Sequence, residues 1–365
     1  MSPVVVAYHW PCPDGAYGAI AALYGIPPSF DITFVPLAIY WSFDKQWAAL
    51  AAALQAGGAS LYMIDYSGGP ALLLAACRAA TAVYLLDHHK TAAEDIAAMG
   101  KTIPANLMPT LDMARSGASI ARDHFDLTAT LPTRLGDAAA ANVLRAISYV
   151  EDHDLFQHKL VDSEAFSAGL RAMAAANEVD YGGGAEALHR LSAVDVDEII
   201  ARGREVLDED AAAITTELAR AVVVRLPNAA RISSNNSPRD TIQALAVISA
   251  RPDLRSELGH ALAAAAAARG FVAIGVVAYE EPGADDLVPI PTGTPSPTHH
   301  DDASAAPVTS QRVIPRPLKV SLRSLGDVDT STISRGHGGG GHRNASSFMT
   351  TRVSFDSWVV SGEGV

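Results

Sequence analysis

The chain is poor in cysteine, aromatics and basic side chains and has no long apolar run, and each shortage excludes a class of protein. Only Cys12 and Cys77 are present among 365 residues, in no C-x-x-C pair, which leaves no disulfide framework and no zinc ribbon. Lys and Arg number 27 against 40 Asp and Glu, for a formal net charge of -13. That sign does not suit long duplex nucleic acid, whose affinity comes mainly from cations neutralising phosphates. It leaves room for a small anion in a local basic or metal-lined pocket. No apolar stretch approaches the roughly 18 residues of a membrane span. The opening "MSPVVVAYHW" lacks the basic-then-apolar pattern of a secretory signal. The expectation is a reduced, cytoplasmic protein, organelles left open, with no membrane partner.

What is present is a β-α alternation. "PVVVAY" (3–8) reads as a short, doubly buried strand and "DITFVPL" (31–37), "SLYMID" (60–65) and "AVYLLD" (82–87) as further strands, and alanine-rich helical segments at 15–23, 47–55 and 70–80 separate them. This predicts an α/β fold with a parallel sheet and helices on both faces. Helical patterning follows over 116–203, and an amphipathic segment at 195–220 reads as a connecting helix. A smaller α/β domain then opens with "AVVVRL" (221–226), carries a helix at 256–268 and strands at 271–279 and 318–324. The expected division is 1–194, a connecting helix at 195–220, and 221–365 with a disordered insertion at 281–314 that is rich in Pro, Ser and Thr. His299 and His300 in that insertion read as solvated loop residues.

In parallel sheets ligands bind beyond the carboxyl ends of the strands, and there this sequence concentrates its acids and imidazoles: His9 and Asp14 after the first strand, Asp65 after the third, and Asp87, His88 and His89 after the fourth. Any one of these reads most simply as a cap or turn residue. Jointly they form a mixture of carboxylate oxygens and imidazole nitrogens without thiolates, which suits manganese, magnesium, cobalt or zinc, the first two favoured. Two such ions can activate a water and stabilise charge on a phosphoryl group.

"DHHK" (87–90), "HWPCPDGA" (9–16), "MIDYS" (63–67), "VEDHDLF" (150–156) and "GGGGHRNASSF" (338–348) together resemble the DHH phosphoesterase superfamily, in its branch with a DHH-associated C-terminal domain. The motifs stand in the family order and span almost the whole chain. The resemblance implies metal ligation by His9, Asp14, Asp65, His88 and Asp152, with Asp65 bridging and Asp154 a weaker candidate whose alternative is a helix-end role. His89 would face the substrate phosphate or the leaving group, and Asp87 would orient the histidines. It implies phosphate or nucleotide binding by Arg323, Gly339, Gly340, Gly341, His342 and Arg343, although a bare glycine run otherwise reads as a linker. The active site is expected in the cleft between the domains.

The implied reaction is cation-dependent hydrolysis of a phosphodiester, phosphomonoester or phosphoanhydride. Asp65 stands near the attacking water, Arg323 neutralises developing charge and His89 assists the leaving oxygen. Implied substrates are small nucleotides, cyclic dinucleotides, short single-stranded oligonucleotides and polyphosphate; a homodimer is also compatible. The first motif departs from the family in two ways. It reads Asp14-Gly15-Ala16 where many members have a second Asp, and His9 stands five residues before Asp14 where four is common. Ala16 therefore keeps a second expectation open, a noncatalytic phosphate or nucleotide sensor. A third is an interaction protein acting through its long insertion. Ser116 reads as a helix cap, His260 as a helix-surface residue, and Trp41 and Trp47 as core.

Overall fold

The computed structural model describes residues 3–55, 57–227, 241–280 and 317–364. The insertion expected at 281–314, with His299 and His300, lies outside the described residues. By internal contacts the chain divides into two compact units, 1–208 and 209–365.

In the first unit β1 (Pro3–His9), α1 (Pro13–Gly25), β2 (Asp31–Leu37), α2 (Phe43–Leu54), β3 (Ser60–Ile64), α3 (Gly69–Ala79), β4 (Ala82–Asp87), α4 (Lys90–Met99) and β5 (Leu107–Leu111) alternate. The strands form one sheet in the order β2-β1-β3-β4-β5, and every pairing is parallel. The α/β expectation therefore holds. β5 was not foreseen, because Pro109 lies within it and its outer residues are exposed; proline is tolerated there because the strand is at the sheet edge. Helices α5 (Gly117–His124), α6 (Leu127–Leu135), α7 (Asp137–Asp154), α8 (Ser163–Ala175), α9 (Gly184–Ala193) and α10 (Val196–Leu218) complete the unit, and the division at 208 falls inside α10.

The period-two pattern of β1 explains the layering. Val4, Val6 and Tyr8 enter a core shared with Ile20 of α1, Ile120 of α5 and Ile147 of α7. Val5 and Ala7 point the other way, toward Leu50 of α2 and Leu72 and Leu73 of α3. Burial on both faces is what makes such strands read as unbroken apolar runs. Trp41 and Trp47 pack against the second of these cores, as expected.

The second unit is built on β6 (Val222–Pro227), β7 (Thr241–Ile248), α11 (Arg255–Ala268), β8 (Ile274–Glu280), β9 (Pro317–Ser324), α12 (Thr330–Gly336), β10 (Gly340–His342), β11 (Ala345–Thr351), α13 (Arg352–Asp356) and β12 (Val359–Gly364). Its seven strands run in the order β10-β11-β9-β8-β7-β6-β12. β7 and β8 are parallel, with α11 as the crossover between them, and the other neighbours are antiparallel. His260 is exposed on α11.

Candidate metal centre

Register assembles the site. Tyr8 pairs with Ile64 across β1 and β3, and Ile64 with Leu86 across β3 and β4. The next residues, His9, Asp65 and Asp87, therefore stand in one row on adjacent strands about 4.8 Å apart. Asp65 is at φ +58°, a left-handed conformation that costs a non-glycine residue roughly 1 kcal/mol or more. Its N–H donates to Leu86 O at 2.8 Å, which holds the kinked backbone at the sheet edge.

Asp65 is 1% exposed and lies among three imidazoles. Its Oδ2 is 3.1 Å from His9 Nδ1, and its Oδ1 is 3.1 Å from His88 Nε2 and 3.7 Å from His89 Nδ1. Burial would raise this carboxyl, but the adjacent imidazoles of His88 and His9 outweigh it and hold it at about 2. Asp87 does what was expected of an orienting residue: its Oδ1 accepts from His88 N at 2.7 Å, His89 N at 3.0 Å and His89 Nδ1 at 2.8 Å.

Asp14 is fixed from a distant part of the chain. Its Oδ2 accepts from Gly117 N at 2.7 Å and its Oδ1 from Ala118 N at 2.9 Å, so the carboxylate caps the N-terminus of α5, where free N–H groups and the helix dipole favour an anion. Ser116 is the residue before that helix, and its Oγ accepts from Ser119 N. Two glycines make the approach possible. A Cβ on Gly117 would stand 2.6 Å from Asp65 Cβ, and one on Gly15 would stand 2.2 Å from His9 O. Burial, then the charges of Asp65 and Asp154, push the Asp14 carboxyl well above the usual range.

Asp152 corrects the sequence reading. Its carboxylate turns into the loop after α7 and accepts from Lys159 N at 2.9 Å and Leu160 N at 3.2 Å; the nearby Ser163 hydroxyl and those backbone bonds outweigh burial and lower its pKa. The carboxylate that reaches the cluster is Asp154, with Oδ2 at 3.5 Å from His88 Nε2, while Asp14 Oδ2 is 3.7 Å from the same atom. Ala16 is fully buried in the apolar core, so no group at that position faces the cluster.

Two features fit a cation. Four carboxylates, Asp14, Asp65, Asp87 and Asp154, share the site with imidazoles, and among the described residues no Lys or Arg is within ion-pair distance of them. Asp65 Oδ1 and Asp154 Oδ2 are buried and meet imidazole nitrogens at ion-pair distance without a well-directed hydrogen bond, and buried charges of this kind are normally paired or ligate metals. Three donor groups have all their ligand atoms within 4.8 Å of one another: His9, Cys12 and Asp65; Asp65, His88 and His89; Asp14, His88 and Asp154. The sequence alone does not mark Cys12, because no second thiol accompanies it in a C-x-x-C pair. Burial, then Asp65 and Asp14, push its thiol well above the ordinary value. Beside the cluster lies a cavity of about 360 Å³ lined by His9, His89, Ile39, Tyr66 and Asp95.

The remaining predicted residues belong to the second unit. A cavity of about 470 Å³ is lined by Arg255, Lys319, Arg323, Gly340 and Gly341, with Ser321 and Ser347. Arg323 is held there by Ser321 Oγ and Leu322 O, both at 2.9 Å, and by Ser256 Oγ at 2.9 Å. The structure does not bring the whole glycine run to this cavity. Gly339 packs under Ser347 and Phe348, Arg343 pairs with Asp327 at 3.2 Å, and His342 is exposed at the end of β10.

No protein-family model and no curated protein matches the sequence. Among solved structures the chain is similar to an exonuclease RecJ bound to manganese, at 15% identity over 98% of this chain and 88% of that one, with a TM-score of 0.43. It is similar to a pGpG-specific phosphodiesterase, PggH, from Vibrio cholerae, at 12% identity over 98% and 96%, with a TM-score of 0.44. An exopolyphosphatase-related protein from Bacteroides fragilis matches at 11% identity over 95% and 86%, with a TM-score of 0.34. At these identities and scores none of them decides what this chain does. In the order of its motifs, and in the way those of the first unit meet at one sheet edge, the chain resembles the DHH phosphoesterase superfamily.

Proposed function

We propose that the protein is a divalent-cation-dependent phosphoesterase acting on a small phosphorylated substrate. The observation that carries this reading is Asp65, a buried carboxylate in a left-handed conformation with both oxygens turned toward three imidazoles. His9, Asp14, Asp65, His88 and Asp154 would hold the cation or cations; manganese, magnesium and cobalt suit the oxygen and nitrogen donors. A cation bound there would acidify water and neutralise charge on a phosphoryl oxygen.

The chain's own residues do the rest. Asp87 locks both histidines of its motif in place. Because His89 Nδ1 bonds Asp87, Nε2 is the nitrogen left to carry a proton, and the ring, 46% exposed, lines the adjoining cavity. We assign it the proton delivered to the leaving oxygen. In the second unit we assign phosphate binding to Arg323, Gly340 and Gly341, with Arg255 and Lys319 adding positive charge. Gly339 would support the run, and His342 and Arg343 would act from outside the cavity. Nucleotides, short oligonucleotides and polyphosphate all carry the required phosphate.

A manganese-supplemented assay against a phosphodiester, a phosphomonoester, a dinucleotide, a cyclic dinucleotide and polyphosphate, run beside Asp65→Ala, tests the proposal. Hydrolysis of at least one substrate by the parent and none by the variant is expected. Equal turnover by the two proteins would reject the role of Asp65, and no turnover with tight phosphate or nucleotide binding would favour the sensor.

A further inference from the structure

We propose that Cys12 is a thiolate ligand on the His9 side of the cluster, so that this protein carries one softer, sulfur-containing cation position beside a harder one. The inference rests on the cation-dependent reading above and refines it. His9, Cys12 and Asp65 each offer a donor, and the three donor atoms lie within 4.8 Å of one another. Asp14, His88 and Asp154 form a separate group by the same measure and contain no sulfur.

A lone cysteine beside an acid would carry little weight. Here the cysteine does not stand alone: His9 Nδ1 is 3.1 Å from Asp65 Oδ2 and Asp65 is 1% exposed, so an imidazole, a thiol and a buried carboxylate converge on one position. Local structure also leaves the thiol available. Cys12 precedes α1 in an extended conformation, with the N–H groups of Gly15 and Asp14 facing its sulfur and favouring the thiolate, while Pro13 begins the helix. Cys77, by contrast, is buried on the core face of α3. On binding, the Cys12 thiol would lose its proton to solvent and its sulfur would donate to the metal; no electron transfer is involved. Imidazole, thiolate and carboxylate together prefer zinc, cobalt or iron(II) over magnesium, whereas carboxylate-dominated positions do not discriminate against it. The two positions would thus differ in metal preference.

Cobalt(II) titration of the chelator-treated full-length protein tests this. The wild-type protein should develop the near-ultraviolet thiolate-to-cobalt charge-transfer band. Cys77→Ser should retain it, and Cys12→Ser should lose it while still binding cobalt in calorimetry. Zinc affinity should fall at least roughly tenfold in Cys12→Ser, since even an outer partner of a ligand is worth that much, and magnesium affinity should hold within about twofold. A measurement on the unmutated protein guards against misfolding of the variant: saturating zinc should slow modification of the Cys12 thiol at least tenfold. Cobalt binding without the band, a band that persists in Cys12→Ser, or a thiol whose reactivity ignores zinc would overturn the assignment of Cys12 alone. Absence of any cobalt binding would overturn the cation-dependent reading with it.

Discussion

Asp152→Asn and Asp154→Asn are conservative exchanges two residues apart, and the structure predicts opposite consequences for them. Asp152 is 5% exposed and uses both carboxylate oxygens to accept backbone N–H groups, from Lys159 and Leu160. An amide keeps one acceptor and sets an NH2 against the other N–H. One buried donor left unsatisfied costs about 1–3 kcal/mol, equivalent to roughly 2–12 °C in the melting temperature of a unit of this size. Cation affinity should be unchanged. Asp154 has a buried Oδ2 facing His88 at the cluster, and burial, then the charge of Asp65, already raise its pKa. Asp154→Asn should leave cation-free stability within about 1 kcal/mol of the parent, on the stabilising side. It should weaken manganese binding by roughly tenfold or more, about 1.4 kcal/mol. Urea denaturation with chelator present and manganese calorimetry read the two quantities separately. Acid adds a signature. The folded pKa of Asp152 is depressed, so its contribution is complete above the ordinary value near 3.9 and disappears as pH falls through the lower folded value. The stability gap between parent and Asp152→Asn should therefore close at low pH. If Asp152→Asn abolished manganese binding and left stability intact, the orientation assigned to the end of α7 would be wrong.

Three further outcomes are expected. Gly117→Ala places a methyl group 2.6 Å from Asp65 Cβ and 3.0 Å from Asp14 Oδ2, and should lower turnover at least roughly tenfold through misplaced ligands; unchanged steady-state kinetics would show that the cluster tolerates the shift. Burial lowers His88, but Asp65, Asp14 and Asp154 outweigh it and push the imidazole up to about 9. The free protein should then be most stabilised by this residue below its ordinary value near 6.5 and lose that contribution as pH rises through about 9. Manganese uptake near neutrality should release a proton, which calorimetry in buffers of different ionisation enthalpy would detect. Arg323→Ala should raise KM by roughly tenfold or more with a smaller change in kcat, as for lost charged hydrogen bonds worth about 1.5–3 kcal/mol; a pure kcat effect would remove Arg323 from substrate binding.

Much of the first unit is legible because its signals are local. β1, β3 and β4 announce themselves as apolar runs, and His9, Asp65 and Asp87 are recognisable as the residues where each run stops. β5 was illegible because an edge strand carrying Pro109 has neither the apolar run nor the alternation. The glycine run of the second unit was only half legible: composition marks it as a place for close backbone approach, but pairing between β10 and β11 decides that Gly340 and Gly341 line the cavity and Gly339 does not.

Residue types and strand ends were determined by the linear chain alone, since a period of two or a terminal acid needs no partner to be read. Which carboxylate of the end of α7 serves the cluster was decided only by packing, because positions two apart on a helix of 3.6 residues per turn face nearly opposite ways and spacing cannot say which face turns inward. The same holds for Asp14, whose anchoring N–H groups lie 103 and 104 residues away in the chain, and for Cys12, which gains meaning only where His9 and Asp65 meet it.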